Sequence, residues 1–108
     1  MFVAKIDFAS IERCSEKSPE IVVQNVPNET VLFEVSLQDY DAPGYRHGGG
    51  KAANDGTGII KQGSVKGNYE SPCPPFPHRY NFTITARDAG GKKLGETEVK
   101  GTYPVPTR

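Results

Sequence analysis

Val31-Leu-Phe-Glu-Val-Ser-Leu-Gln-Asp39 alternates without interruption. Val31, Phe33, Val35 and Leu37 fall on one side, and Leu32, Glu34, Ser36 and Gln38 on the other. A period of two over this length is that of a β-strand with one buried face and one wetter face. Arg79 to Asp88 repeats the pattern, with Tyr80, Phe82, Ile84 and Ala86 facing a core and Asn81, Thr83, Thr85 and Arg87 facing out. Asp88-Ala-Gly-Gly91 then reads as a hairpin turn. Lys92 to Thr102 returns as a more polar strand, an edge where charge discourages aggregation. Toward the N-terminus, Val3 to Ile11 reads as a further strand, Cys14 to Pro19 as a polar turn, and Ile21 to Val23 as a short apolar strand. Lys51 to Lys66 has only brief strand potential.

Composition supports the same class. Val and Ile total 15 against three Leu, and seven Thr add to the β-branched set. Branching at Cβ suits pleated strands and restricts χ1 in helices, so an all-β domain is expected. A chain of 108 residues is one domain, 1–108, with no internal repeat or linker. Thirteen basic and thirteen acidic residues cancel, which argues against a general nucleic-acid binder, since phosphate neutralisation needs excess positive charge. The longest apolar run is Met1 to Ala4, so neither a membrane span nor a signal h-region is expected. The compartment stays open: cytoplasmic, or periplasmic or secreted if a leader has been removed. Asn28 and Asn81 begin Asn-X-Thr triplets, read as chance matches. The two cysteines, Cys14 and Cys73, leave two readings, a disulfide or two buried thiols. A closed loop of about 60 residues would contribute roughly 4 kcal/mol in the chain-entropy account.

About 40 residues between the two best strands are poor in regular pattern, and loops that long are uncommon unless functional. Both histidines, His47 and His78, lie at the ends of this region. Asp39 and Asp41 precede the first, and Tyr45, Tyr80, Arg46 and Arg79 flank the pair. Imidazoles beside a carboxylate and exposed N–H groups suit a small anion. Gly48-Gly49-Gly50 could turn its N–H groups toward a phosphate oxygen, or be a plain flexible loop. Asp41, His47 and His78 match no zinc spacing, so no metal is expected, and no cofactor is implied. Cys73 and His78 form no known nucleophile motif, and no complete base, nucleophile and oxyanion set can be read, so an enzyme is not expected. Ser71-Pro-Cys-Pro-Pro-Phe-Pro-His78 excludes helix and central strand. Its Cys73-Pro74-Pro75 core reads either as a constrained wall with a cis X-Pro bond or as a polyproline II surface turn.

Taken in order, Asp39-Tyr-Asp41-Ala-Pro43, His47, Ser71-Pro-Cys-Pro-Pro75 and His78-Arg-Tyr80 resemble the phosphatidylethanolamine-binding protein (PEBP) family. That family carries Asp-Pro-Asp-Ala-Pro, a His, Gly-Pro-Cys-Pro-Pro and His-Arg-Tyr in this order. The short bacterial members with His-Gly-Gly-Gly are the most similar. The resemblance runs from about residue 4 to 104. It implies a Greek-key antiparallel β-sandwich with an anion pocket at one end, walled in part by a cis-proline, accepting phosphate, acetate or a phospholipid head group. Carried over by motif, Asp41 would hold a histidine, His47 and His78 would face the anion, and Tyr80 would line the pocket. The Cys73 N–H would cradle an oxygen, Pro74 would hold the wall, and Pro43 and Ser71 would complete the set. Three positions depart from the pattern: Tyr40 replaces Pro, Ser71 replaces Gly, and glycines follow His47 where an aromatic is usual. The chain also lacks the long segment between boxes and the C-terminal helix of larger members.

The expected function is therefore a small binding module for an anion or phosphorylated head group. The alternative is a protein-interaction or regulatory domain of the kinase- or protease-inhibitor kind, docking through its proline-rich loop. A vestigial fold without a ligand is the third reading.

Overall fold

The two alternating stretches form the centre of the larger of two sheets in a computed structural model that describes residues 1–106. β3 (Leu32–Asp39) pairs antiparallel with β7 (His78–Arg87) along its whole length, from Leu32 opposite Arg87 to Asp39 opposite Tyr80. β4 (Gly49–Ala53) and β6 (Lys66–Gly67) extend the sheet on one side, and β8 (Lys93–Tyr103) closes the other, giving the five-stranded order β6-β4-β3-β7-β8. A three-stranded sheet, β1-β2-β5, is built from Val3–Lys5, Ile21–Gln24 and Ile59–Ile60. All pairings are antiparallel. The expected all-β class and two-sheet antiparallel architecture are what is found.

The core lies between the sheets. β3 contributes Phe33, Val35 and Leu37, β7 contributes Tyr80, Phe82, Ile84 and Ala86, and β2 and β5 contribute Ile21, Val23 and Ile60. Phe8 meets Phe82 edge-on, with ring centroids 5.8 Å apart. Each such buried side chain stabilises the fold by about 1.5–3 kcal/mol relative to exposure.

Three expectations are corrected. The first strand ends at Lys5, because Asp7 turns the chain: its side chain accepts from Ala9 N (3.0 Å) and caps a single 3-10 turn, Phe8–Ser10. Val31 is half exposed just before β3, so the buried alternation starts at Phe33. The cis X-Pro bond is Tyr103–Pro104, not one within Cys73-Pro74-Pro75. That segment is instead laced to residues 14–15, with Cys14 N–H donating to Pro72 O (3.1 Å) and Ser71 N–H to Ser15 O (2.7 Å). A Cys14–Cys73 disulfide, Cα to Cα 4.7 Å, joins the same two segments and resolves the cysteine question in favour of the bonded reading.

Candidate functional site

The site sits where β3 ends and β7 begins. A cavity of about 270 Å³ opens there, walled by Asp39, Ala42, Tyr45, His47, the Cys73-Pro74-Pro75 segment, His78 and Tyr80. A strand alternates its faces, so the register that buries Val35 and Leu37 also turns Asp39 inward. The register that buries Tyr80 and Phe82 likewise turns His78 inward. The two meet: Asp39 Oδ2 accepts from His78 Nδ1 at 2.7 Å. The other carboxylate oxygen of Asp39 accepts from the N–H groups of Asp41 (2.8 Å) and Ala42 (3.0 Å), so the same residue shapes the turn that leaves β3. The Asp39 side chain is 4% exposed, and these bonds are what makes a buried carboxylate tolerable.

His47 is 3% exposed and reaches the cavity from the loop before β4. Its Nδ1 lies 2.9 Å from Glu70 O, while Glu70 N–H donates to His47 O at 2.8 Å, so ring and backbone are fixed by one residue. Its imidazole packs between Tyr45 (4.6 Å) and Tyr80 (5.5 Å, edge-on), and the His78 ring lies 6.3 Å from Tyr80. Burial, with the nearby Asp39 carboxylate, pushes the Tyr80 phenol well above its ordinary range. The Tyr45 hydroxyl donates to Glu70 Oε1 (2.9 Å), and that bond raises the Tyr45 phenol too. Both rings are neutral walls at physiological pH. Arg13 reaches over the rim, its Nη2 donating to Pro74 O.

His47, Cys73, Pro74, His78 and Tyr80 are thus brought together as the motif order implied, and three other expected residues are not. Asp41 does not hold a histidine. It receives the Arg79 backbone N–H (2.7 Å), Nη2 (2.7 Å) and Nε (3.3 Å), and the Arg79 hydrogen bonds hold its carboxyl down to about 2. β3 ends at Asp39, so Asp41 falls beyond the inward-facing positions. Pro43 is exposed and forms no part of the wall. Ser71 is buried behind it, its hydroxyl bonded to Tyr69 Oη (3.1 Å) and Lys17 O (3.4 Å). The glycine run is not an anion nest: Gly49 and Gly50 begin β4, and Gly49 N–H donates to Asn68 Oδ1 at 3.1 Å. A Cβ on Gly49 would strike the Val35 carbonyl oxygen, and one on Gly50 that of Lys66. Close strand approach accounts for these glycines. No group of three His, Cys, Asp or Glu side chains converges among the described residues. Ala42, Pro75 and Arg13 were not singled out from sequence as site residues, while Asp39 and Tyr45 were named beside the histidines without a role in binding. For Asp39 the alternation of β3, carried one step past Leu37, was the signal of an inward side chain.

This is a two-sheet antiparallel β protein with a proline-walled, mainly apolar cavity at one end of its larger sheet, in which Asp39, His47 and His78 are set. Its fold is that of the phosphatidylethanolamine-binding proteins. A PEBP homologue from Chlamydia trachomatis superposes with a TM-score of 0.70 at 19% identity, covering 97% of this chain and 98% of that one. YbcL from Escherichia coli, described as a new member of the mammalian PEBP family, superposes at 0.61 with 16% identity, covering 97% and 99%. No family sequence model and no curated protein sequence matches the chain. The chain is PEBP-like in fold, as its motif order implied. Among the described residues, no helix is long and apolar enough to cross a membrane.

Proposed function

We propose that the protein is a small binding module whose cavity receives a small anion or phosphorylated head group. One observation carries the reading: two imidazoles, from opposite ends of the irregular region, converge on one cavity and flank Tyr80. About 270 Å³ lies just below the range of about 300–1,000 Å³ usual for ligand pockets, a size for a head group rather than an acyl chain. The mixed wall fits an amphiphilic ligand's polar end, with the prolines giving a rigid rim and the rings giving orientable nitrogens. Binding without catalysis is the reading we favour. Asp39 is fully engaged by hydrogen bonds, and among the described residues both cysteines are in the disulfide, leaving no thiolate nucleophile.

An NMR titration of labelled protein with phosphate and a short-chain phosphoethanolamine tests this. Amide shifts confined to residues 39–48 and 71–80, saturating at millimolar ligand or below, are expected. His47→Ala and His78→Ala should each weaken binding about tenfold or more, the scale of one charge-assisted hydrogen bond, and His78→Ala should also lower stability because it leaves the buried Asp39 carboxylate without that partner, so the affinities are compared on folded protein. Absence of shifts with both loops ordered would refute the reading.

One observation favours a protein partner as the second reading. Phe76 is 63% exposed on the rim, its ring 5.1 Å from His78 and between Pro75 and Pro77. Partner capture that survives both histidine variants and is lost in Phe76→Ala would select it.

A further inference from the structure

We propose that Arg13 is an anion-binding residue of the cavity, held at its rim by the Cys14–Cys73 disulfide. The proposal rests on the anion reading above and adds to it the residue that supplies a permanent positive charge. Arg13 lies outside the motifs that carry the family resemblance, and 61 residues away in sequence from Pro74. The fold brings the two together. Arg13 Nη2 donates to the carbonyl oxygen of Pro74, a residue of the cavity wall. The guanidinium is also felt by Tyr80 on the same wall: burial and Asp39 push the Tyr80 phenol upward, and Arg13 pulls it back.

The segment that carries Arg13 is fastened residue by residue. The Tyr103 hydroxyl donates to Ile11 O at 3.1 Å. The Glu12 carboxylate, nearest in sequence, is engaged by Lys17 Nζ (3.6 Å) and Gln62 Nε2 (3.0 Å). Cys14 N–H donates to Pro72 O (3.1 Å), its sulfur is bonded to Cys73, and Ser15 O accepts from Ser71 N–H (2.7 Å). Cys14 also takes a φ of 56°, a left-handed conformation that a β-carbon disfavours. Such strain persists only where the surroundings enforce it, and it gathers at binding sites. Here the strained residue is the one that joins Arg13 to the sulfur bridge.

Among the described residues Arg13 pairs with no carboxylate. A guanidinium has five N–H donors and keeps its charge at any physiological pH, and Pro74 O takes one donor. Arg79, by contrast, is spent on Asp41 through Nε and Nη2. An anion entering the cavity meets the Asp39 carboxylate, and the Tyr45 and Tyr80 rings bring no charge to balance it. The remaining donors of Arg13 supply that balance, in the planar fork that suits two oxygens of one phosphate.

The test is NMR titration near neutral pH with dimethyl phosphate, a phosphodiester that is monoanionic there. Arg13→Gln keeps an N–H for Pro74 O and removes the charge. It should weaken binding about tenfold or more and make the remaining binding less sensitive to salt. Arg13→Lys should recover part of the loss. Amide exchange at residues 71–75 should be the same in all three proteins, which separates a charge that binds from a prop under Pro74. In the unaltered protein the Arg13 Nε–H resonance should shift as the anion is added, a readout that needs no variant to fold. Removing the bridge with Cys14→Ser and Cys73→Ser should weaken binding in the unaltered chain, and much less in the Arg13→Gln chain. Unchanged affinity and salt dependence in Arg13→Gln, with an unmoved Nε–H resonance, would overturn the role of Arg13 and leave the anion site standing. A loss matched by Arg13→Lys and accompanied by faster exchange at residues 71–75 would make Arg13 a prop and overturn it as well. Equal weakening in both chains on loss of the bridge would overturn the part given to the disulfide. No binding by the unaltered protein would overturn this proposal together with the anion reading.

Discussion

Asp39 and Asp41 are two positions apart and have opposite lives. Asp39 ends a strand on its inward side, is buried, and joins the cavity histidine to the turn that follows. Asp41 lies outside and clasps Arg79 from backbone and side chain together. The Arg79 hydrogen bonds pull the Asp41 carboxyl from its ordinary 3.8 to about 2. Folding therefore favours the ionised form. The stabilisation is present at pH values above the unfolded-state titration and disappears as pH falls from near 4 to near 2. The group is exposed, so salt screens the effect and it is small. We expect urea midpoints to fall over that acid window in the unaltered protein and to fall less steeply in Asp41→Asn. Parallel curves for the two proteins would mean that the Arg79 clasp contributes nothing to folding.

At the scale of elements, what could be read from sequence followed how much of each element its own side chains determine. β3 and β7 are long and alternate apolar with polar residues, so both announce a strand; β3 also alternates in burial, whereas on β7 Asn81 and Thr85, expected to face out, are buried as well and bond to Glu98 and Glu96 of β8. β8 and the Asp88 turn were equally readable: Asp88 Oδ1 accepts from Gly90 N (3.0 Å) and Lys92 N (2.9 Å), and Gly91 takes a positive φ of 87°. β4 was not, because Gly49 and Gly50 are there for what they lack. Their strand character comes from β3 and β6 pressing on either side, a tertiary fact with no local signature. β5 and β6, two residues each, exist only through their partners. The site divides the same way. His47, His78 and Tyr80 were legible through motif order, which also contained Asp39 but gave the histidine contact to Asp41, where strand parity favours Asp39; Arg13 was not legible at all, since its place at the rim depends on the lacing of residues 14–15 to 71–72. The account of β4 makes its own prediction. Gly49→Ala drives a methyl into the Val35 carbonyl and should cost about 2 kcal/mol or more, against a few tenths at open Gly44. Chemical denaturation of the two variants compares them directly, and equal costs would show that β4 can shift to make room.

For the molecule as a whole, the Cys14–Cys73 bond is the largest single constraint on the unfolded chain, closing a separation of 59 residues. It also has a local consequence, because Cys73 lines the cavity and Arg13 is the neighbour of Cys14. Reduction, or Cys14→Ser with Cys73→Ser, should lower stability by roughly 4 kcal/mol and loosen the proline wall. Urea unfolding with and without reductant measures the first effect. Amide exchange at residues 71–75 reads the second. Unchanged exchange there would show that the Ser71–Ser15 and Cys14–Pro72 hydrogen bonds hold the wall without the sulfur bridge.

β8 is the outermost strand of the larger sheet, with one side unpaired. It is eleven residues long, bears Lys93, Glu96, Glu98 and Lys100, and is kinked where the register with β7 shifts between Ala86 and Arg87. A long bare strand margin is a template on which further chains can stack. Here the guard is of both signs. In acid the lysines keep their charge and like copies repel, and in alkali the glutamates do the same. The kink spoils the flat register that stacking requires. At the isoelectric pH, where the chain's net charge is zero and the strand's two lysines and two glutamates also cancel, like-charge repulsion is absent and the irregular register is the guard that remains.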